Sequence, residues 1–316
     1  MDKTPVYSVD LPKKELQELK EELESAASLK QLAADPYWPK WNTPWWKMLL
    51  LWELKEVSNI PPKTTEALMD SVEKTYIDFF PLTEEELPKD IDPYRNIICH
   101  CALGSLYQLL HSLKAPVDER FPWMRPWFIK YQLPDGGLNC DEEVYTRETP
   151  RSSFLSTLPC LEAVLFSLSK AKAEERLFLE KGAKYLLSRK LCRSLSKGNR
   201  LIDENWLRPT FPRYYQYDAL RGLRFIVFWA HKTDNKIPVD SVREVIESLL
   251  KQCDARLYPF AQEGTMEQKP DGSWFWSDEA SLFPLLQKVQ GPIARAVLTN
   301  ELRETLALLL EKNLLS

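Results

Sequence analysis

The sequence predicts an all-α protein, an α/α toroid of about five helical hairpins with an inner and an outer ring of helices. Two observations lead there. Apolar segments of helical period recur near residues 45–57, 97–113, 153–168, 214–230 and 292–309, each with few charges. A helix that is apolar nearly all round is buried on most sides. Between them lie segments with one apolar stripe and one charged face, near 13–33, 65–80, 118–132, 173–191 and 239–253.

In the first class, CALGSLYQLLHSL (101–113), STLPCLEAVLFSL (156–168) and YDALRGLRFIVFW (217–229) read as inner helices. In the second, VDSVREVIESLLKQ (239–252) gathers Val242, Val245, Ile246, Leu249 and Leu250 on one side, as an outer helix does. Pro at Leu11-Pro12 and Ile237-Pro238 marks helix starts. Strand signals are nearly absent. An inner helix needs neighbours on both flanks and a layer behind it, which a closed ring supplies; an open superhelical stack is the competing arrangement. Residues 1–34 are expected to form an outer helix packed on a toroid spanning 35–316, the whole being one structural domain.

Composition narrows the function. The 316 residues are 44% apolar and 28% charged, with only 9 Gly and with 23 Pro, as suits a core of stiffly connected helices. The net charge is −4, and no basic stripe is present, so nucleic acid is not an expected partner. The longest apolar run, 48–52, is too short to span a bilayer. The polar start MDKTPVYSVD lacks the apolar core of a secretory leader, so a cytoplasmic location with six reduced cysteines is expected.

Two turns carry the most specific signal. Gln132-Leu133-Pro134-Asp135-Gly136-Gly137-Leu138 and Gln268-Lys269-Pro270-Asp271-Gly272-Ser273-Trp274 both read Q-x-P-D-G-x-[L/W], each between an outer and an inner segment. Pro presets φ, Asp bonds the backbone and Gly accepts positive φ. Gly136 and Gly272 are therefore expected at equivalent places.

These repeats resemble the Gln-Trp repeat of squalene–hopene cyclases and the glycine-rich repeat of protein prenyltransferase β subunits. DPYWPKWNTPWW (35–46), CHCALG (99–104), YQLPDGGLNCDE (131–142), RSSFLSTLPCLEAVL (151–165) and FPRYYQYDALRGL (211–223) also resemble a bacterial group of prenyltransferase-like proteins of unassigned reaction. The resemblance covers about residues 35–310 and implies the terpenoid cyclase fold. The catalytic machineries do not carry over. Asp90-Ile91-Asp92-Pro93 lacks the last carboxylate of a DxDD acid, and Cys140-Asp141-Glu142-Glu143 does not match a DDxxD cluster. The helix starts Pro150-Arg151-Ser152-Ser153 and Tyr214-Tyr215-Gln216-Tyr217 hold no Asp–Cys–His zinc set.

In such a toroid the residues entering inner helices meet over the cavity. Asn139, Cys140, Asp141 and Glu142 either line its mouth or form a solvated capping loop. Ser152 and Ser153, with Ser156 and Thr157, exceed what one helix cap needs. Asp218 and Arg221 stand three apart on an apolar helix beside Tyr214 and Tyr217, as an internal ion pair or a ligand-facing pair. Trp45 and Trp46, with Trp38, Trp41 and Trp52, form either an aromatic wall or core. His100 is the histidine best placed for acid–base work, or a buried hydrogen-bonded group.

Cys99-His100-Cys101 suggests a metal cluster, but neighbours on a helix point about 100° apart and should not share one ion. With no CxxC pair, no metal is expected. The function these readings point to is the binding of an isoprenoid or other lipophilic molecule in an aromatic cavity. The alternatives are a scaffold for a peptide or partner protein, and a glycan-acting enzyme with carboxylates at the mouth, for which no carboxylate couple is identified.

Overall fold

The computed structural model describes residues 9–78, 80–168, 172–253, 262–263, 265–268, 274–277 and 283–316. The chain is mostly helical. Its helices are α1 (Lys13–Glu24), α2 (Ala26–Ala34), α3 (Pro44–Glu53), α4 (Pro62–Thr75), α5 (Pro93–Asn96), α6 (His100–Ser112), α7 (Val117–Arg120), α8 (Met124–Lys130), α9 (Phe154–Phe166), α10 (Ala173–Ser188), α11 (Ala219–Thr233), α12 (Val239–Lys251), α13 (Pro284–Lys288) and α14 (Pro292–Glu311). Among the described residues, no helix is long and apolar enough to cross a membrane.

Each predicted apolar segment contains a helix, and the differences have local causes. The 13–33 segment is divided at Ser25, whose side chain accepts from Ser28 N and caps α2. The 118–132 segment divides into α7 and α8 around Phe121-Pro122, since Pro122 has no N–H to continue α7. The 97–113 segment becomes helical only at His100, because Cys99 is extended at φ −74°, ψ 155°. The 214–230 segment starts at Ala219, because Tyr214 has φ 54° and Asp218 is extended.

Strands are few. Among the described residues, three short pairs occur: β1 (Arg193–Ser194) with β2 (Arg200–Leu201), β3 (Thr210–Phe211) parallel to β4 (Gln262–Glu263), and β5 (Thr265–Gln268) antiparallel to β6 (Trp274–Ser277). Gln268 pairs with Trp274, so the ends of the second Q-x-P-D-G motif belong to a β-hairpin rather than to a helix-to-helix turn. Residues 269–273, including Gly272, lie outside the described residues.

The chain divides into two compact units, one of Glu18–Tyr185 and one of Met1–Gln17 with Leu186–Ser316. In the first, α6 packs against α3, α7, α8 and above all α9. Its core includes Trp45, Trp46, Leu106, Tyr107, Phe128 and Leu161, all fully or almost fully buried. The α6–α9 approach depends on Gly104: a Cβ there would lie 2.4 Å from the carbonyl carbon of Pro159 and 2.6 Å from Cys160 N. Gln108 seals the same contact by donating to the Gly104 and Pro159 carbonyls, each at 3.2 Å.

In the second unit α11 packs against α12 and α14. Asp218 caps α11, its side chain accepting from Arg221 N. The C-terminal residues pair back on the residue before α12, Ile237 N donating to Leu314 O at 2.8 Å and Ser316 N to Ile237 O at 3.0 Å.

Gly104→Ala is expected to lower the unfolding free energy by about 1–3 kcal/mol, the cost of overpacking against a backbone that has little room to move. Urea denaturation would check it; unchanged stability would contradict so close a helix contact.

Candidate thiol site

The site begins with the loop after α8. Gly136 has φ 98°, as the first Q-x-P-D-G turn requires, and a Cβ there would stand 2.4 Å from Lys181 O. Gly136 N donates to Leu133 O, Leu133 N donates to Gly137 O, and Gln132 Nε2 donates to Gly136 O and Phe178 O. The loop is then fastened to the start of α9. Ser152 donates its backbone N–H and its hydroxyl to the Asp135 carboxylate. Leu138 N donates to Thr157 Oγ1 at 2.8 Å, Ser153 N to Leu138 O at 2.8 Å, and Cys140 N to Ser156 Oγ at 3.0 Å. The hydroxyls of Ser152, Ser156 and Thr157 are thus used to hold the loop, and Ser153 contributes its backbone N–H.

The fastened loop presents Cys140 to the start of α6. The sulfurs of Cys99, Cys101 and Cys140 all lie within 4.8 Å of one another. Cys99 Sγ is 3.2 Å from Cys101 Sγ, and Cys140 Sγ is 3.8 Å from Cys101 Sγ. The expectation that Cys99, His100 and Cys101 do not together hold one ion assumed a helix through all three, and the structure differs at Cys99. Cys99 is the extended N-cap of α6, so its side chain is not turned away from Cys101 as on a helix. Cys140, 39 residues from Cys101, joins by tertiary folding.

The three thiols share charge unequally. Cys99 is held well below the usual thiol range, first by contact with the Cys101 and then the Cys140 S–H groups, and also by the Ala102 backbone. Contact with Cys140 and Cys99 drives Cys101 up, and burial adds to it. Contact with Cys101 pulls Cys140 down, but contact with Cys99 and burial outweigh it and push Cys140 up to about 12. Lys40 lies near enough to feel all three sulfurs. Burial lowers its pKa, the thiols oppose that, and its ammonium stands 5.0 Å from the Trp38 ring and 5.4 Å from the Tyr37 ring.

His100 lies between two of these cysteines in sequence but belongs to a different environment. Trp127 Nε1 donates to its Nδ1 at 2.7 Å, which leaves the proton on Nε2, 3.2 Å from Tyr145 Oη. Phe80 and Tyr131 complete the aromatic surroundings. Burial holds its pKa at about 3. A fully buried, neutral imidazole with both nitrogens engaged serves packing, so the acid–base reading of His100 is corrected.

The remaining candidates take structural places. Asn139 donates to Arg151 O and accepts from Asp141 N, while Asp141 caps the following short 3₁₀ turn at Glu143 N. Glu142 is half-buried, and burial raises its pKa. Trp45 and Trp46 are core residues stacked near Tyr37, with Trp46 Nε1 donating to Tyr37 O at 2.9 Å.

In the other unit, Asp218 does not pair with Arg221. Its carboxylate takes Arg213 Nε at 2.5 Å, Thr210 N at 3.0 Å and Arg221 N at 2.8 Å. Arg213 also reaches Glu301 at 2.6 Å. Burial alone would lower the Arg213 pKa, but the carboxylates of Asp218 and Glu301 overcome it and raise it. The Arg221 guanidinium donates instead to Gln216 O and Tyr214 O. Tyr217 Oη donates to Leu191 O, and its ring packs on Trp206.

A cleft of about 470 Å³ in the first unit is bordered by His111, Lys114, Val117, Asp118, Glu119 and Phe166, among others. None of the residues singled out from the sequence lines it. No family model matches the chain, and no curated protein or solved structure is significantly similar to it.

Asp218→Ala is expected to cost about 3–5 kcal/mol, because it strands the buried Arg213 charge. Arg221→Met removes donors to the Gln216 and Tyr214 carbonyls and is expected to cost about 1–3 kcal/mol. Denaturation curves check both, and unchanged stability of Asp218→Ala would contradict the Arg213 anchor. His100→Phe should cost about 1–3 kcal/mol by leaving the Trp127 N–H without its acceptor, and a melt matching wild type would refute that anchor.

Proposed function

We propose that this protein binds a thiophilic metal ion, Zn²⁺ first among them, through Cys99, Cys101 and Cys140. The observation that carries the reading is the convergence within 4.8 Å of three sulfurs, two from the start of α6 and one from the 133–140 loop. Zn–S bonds of about 2.3 Å at tetrahedral angles put neighbouring sulfurs roughly 3.8 Å apart. The Cys101–Cys140 separation of 3.8 Å matches that edge, and the 3.2 Å between Cys99 and Cys101 needs a modest opening. Three thiolates on a divalent ion carry a net negative charge, and Lys40 supplies a cation beside them. The hydrogen bonds that fasten the 133–140 loop support the cysteines from behind, as outer partners do at metal sites.

Binding of one equivalent of Zn²⁺ to reduced protein is the expected result. Cys99→Ser, Cys101→Ser and Cys140→Ser should each weaken binding by at least about tenfold, and Cys253→Ser should leave it unchanged. With Co²⁺ as the probe, a sulfur-to-cobalt charge-transfer band should appear and be lost in the same three variants. Absence of stoichiometric binding, or binding indifferent to all three substitutions, refutes the site.

A second reading is a ring of helical hairpins that encloses an isoprenoid or other lipophilic ligand. It is supported by the first Q-x-P-D-G turn, which links α8 to the α9 hairpin partner with the positive φ its sequence requires. Native mass spectrometry for a co-purifying apolar ligand tests it independently of the thiols.

A further inference from the structure

We infer that the metal site is governed by oxidation: a peroxide joins Cys99 to Cys140 in a disulfide and thereby disables the site. The inference rests on the metal reading for its consequence, and on the sulfur geometry alone for the disulfide. The three sulfurs lie within 4.8 Å of one another, and the residues differ in burial: Cys101 is buried, whereas Cys99 and Cys140 are half-buried. An oxidant from solution therefore meets Cys99 and Cys140 first. The alternative bridge between Cys99 and Cys101 would close a ring across one intervening residue. That residue is His100, whose ring is held by Trp127 and Tyr145 and resists such a twist. Cys140 comes from a separate loop and meets no such restriction.

The chemistry balances with a hydroperoxide as the oxidant. The Cys99 sulfur attacks one oxygen of hydrogen peroxide, the O–O bond breaks, and the products are a sulfenic acid and water. The Cys140 sulfur then attacks the Cys99 sulfur, the S–O bond breaks, and hydroxide leaves with the Cys140 proton as a second water. Two electrons pass from the two sulfurs to the peroxide. One thiol, Cys101, remains, and a single thiol does not hold Zn²⁺ against the solvent. A thiol reductant reverses the disulfide by exchange.

The test uses the full chain, reduced and metal-free, treated with hydrogen peroxide and digested without reductant. A peptide pair joined through Cys99 and Cys140 is expected, with Zn²⁺ uptake lost and then restored by dithiothreitol. Cys140→Ser should abolish the bridged pair, and Cys101→Ser should keep it; near-UV circular dichroism of both variants verifies the fold. Zn²⁺ binding by reduced protein that persists after peroxide, with all three thiols still alkylatable, overturns the switch and leaves the metal reading standing. The Cys99–Cys140 bridge in a protein that never binds Zn²⁺ removes the metal reading and with it the control of a metal, leaving only the oxidisable pair. A bridge to Cys101 in place of Cys140 overturns the assigned partner.

Discussion

The attachment of the 133–140 loop to the first turn of α9 is the constraint on which the rest of the first unit turns. That loop has backbone donors to satisfy close to a packed interior, and a buried donor without a partner costs about as much as a lost hydrogen bond. Thr157 and Ser156 accept from Leu138 N and Cys140 N, Asp135 accepts from Gly137 N, and Ser152 and Ser153 donate in return to the Asp135 carboxylate and to Leu138 O. A loop held at so many points has little freedom left, and Cys140, the last residue in that run of contacts, inherits a defined position.

The start of α6 uses this rigidity on two sides. Because Cys99 is extended and His100 is the first helical residue, the chain sends successive side chains into different surroundings. His100 enters a dry aromatic pocket, where one nitrogen accepts from Trp127 and the other faces Tyr145. Cys99 and Cys101 meet Cys140 in a sulfur cluster. Contact among the three thiols opposes their joint ionisation, and it holds the Cys99 pKa down while it drives that of Cys101 up. The aromatic pocket holds the helix start still while the sulfurs present a compact, soft donor set.

The other unit solves a different problem, the burial of a charge. Asp218 is fully buried, and it is tolerable there because Arg213, Thr210 and the first turn of α11 saturate its oxygens. Arg213 in turn spends its remaining donors on Glu301 in α14. The network ties the strand at Thr210, the turn before α11, and α14 together, and it works as an anchor between elements.

The sequence by itself determined the helical class, and nearly every helix can be found in its apolar periodicity, because burial of an amphipathic or all-apolar stripe is a local and repetitive demand. The Pro134-Asp135-Gly136 turn was equally legible, since the positive φ at Gly136 is a property of a few adjacent residues. The candidate list drawn from the sequence included Cys140 and His100; His100 is the buried hydrogen-bonded group that was one of its two readings, and Cys140 meets Cys101 across the fold. Two facts that a linear reading does not contain were decisive. Helix α6 starts at His100, three residues into the 97–113 segment, so Cys99 is extended and escapes the 100° rotation between successive helical residues. The counter-ion of Asp218 is Arg213, outside the helix, rather than Arg221 one turn along it. Which cysteines meet, and which arginine neutralises a buried carboxylate, depend on contacts between residues distant in the chain or on the fold of a turn, and only tertiary structure decides those.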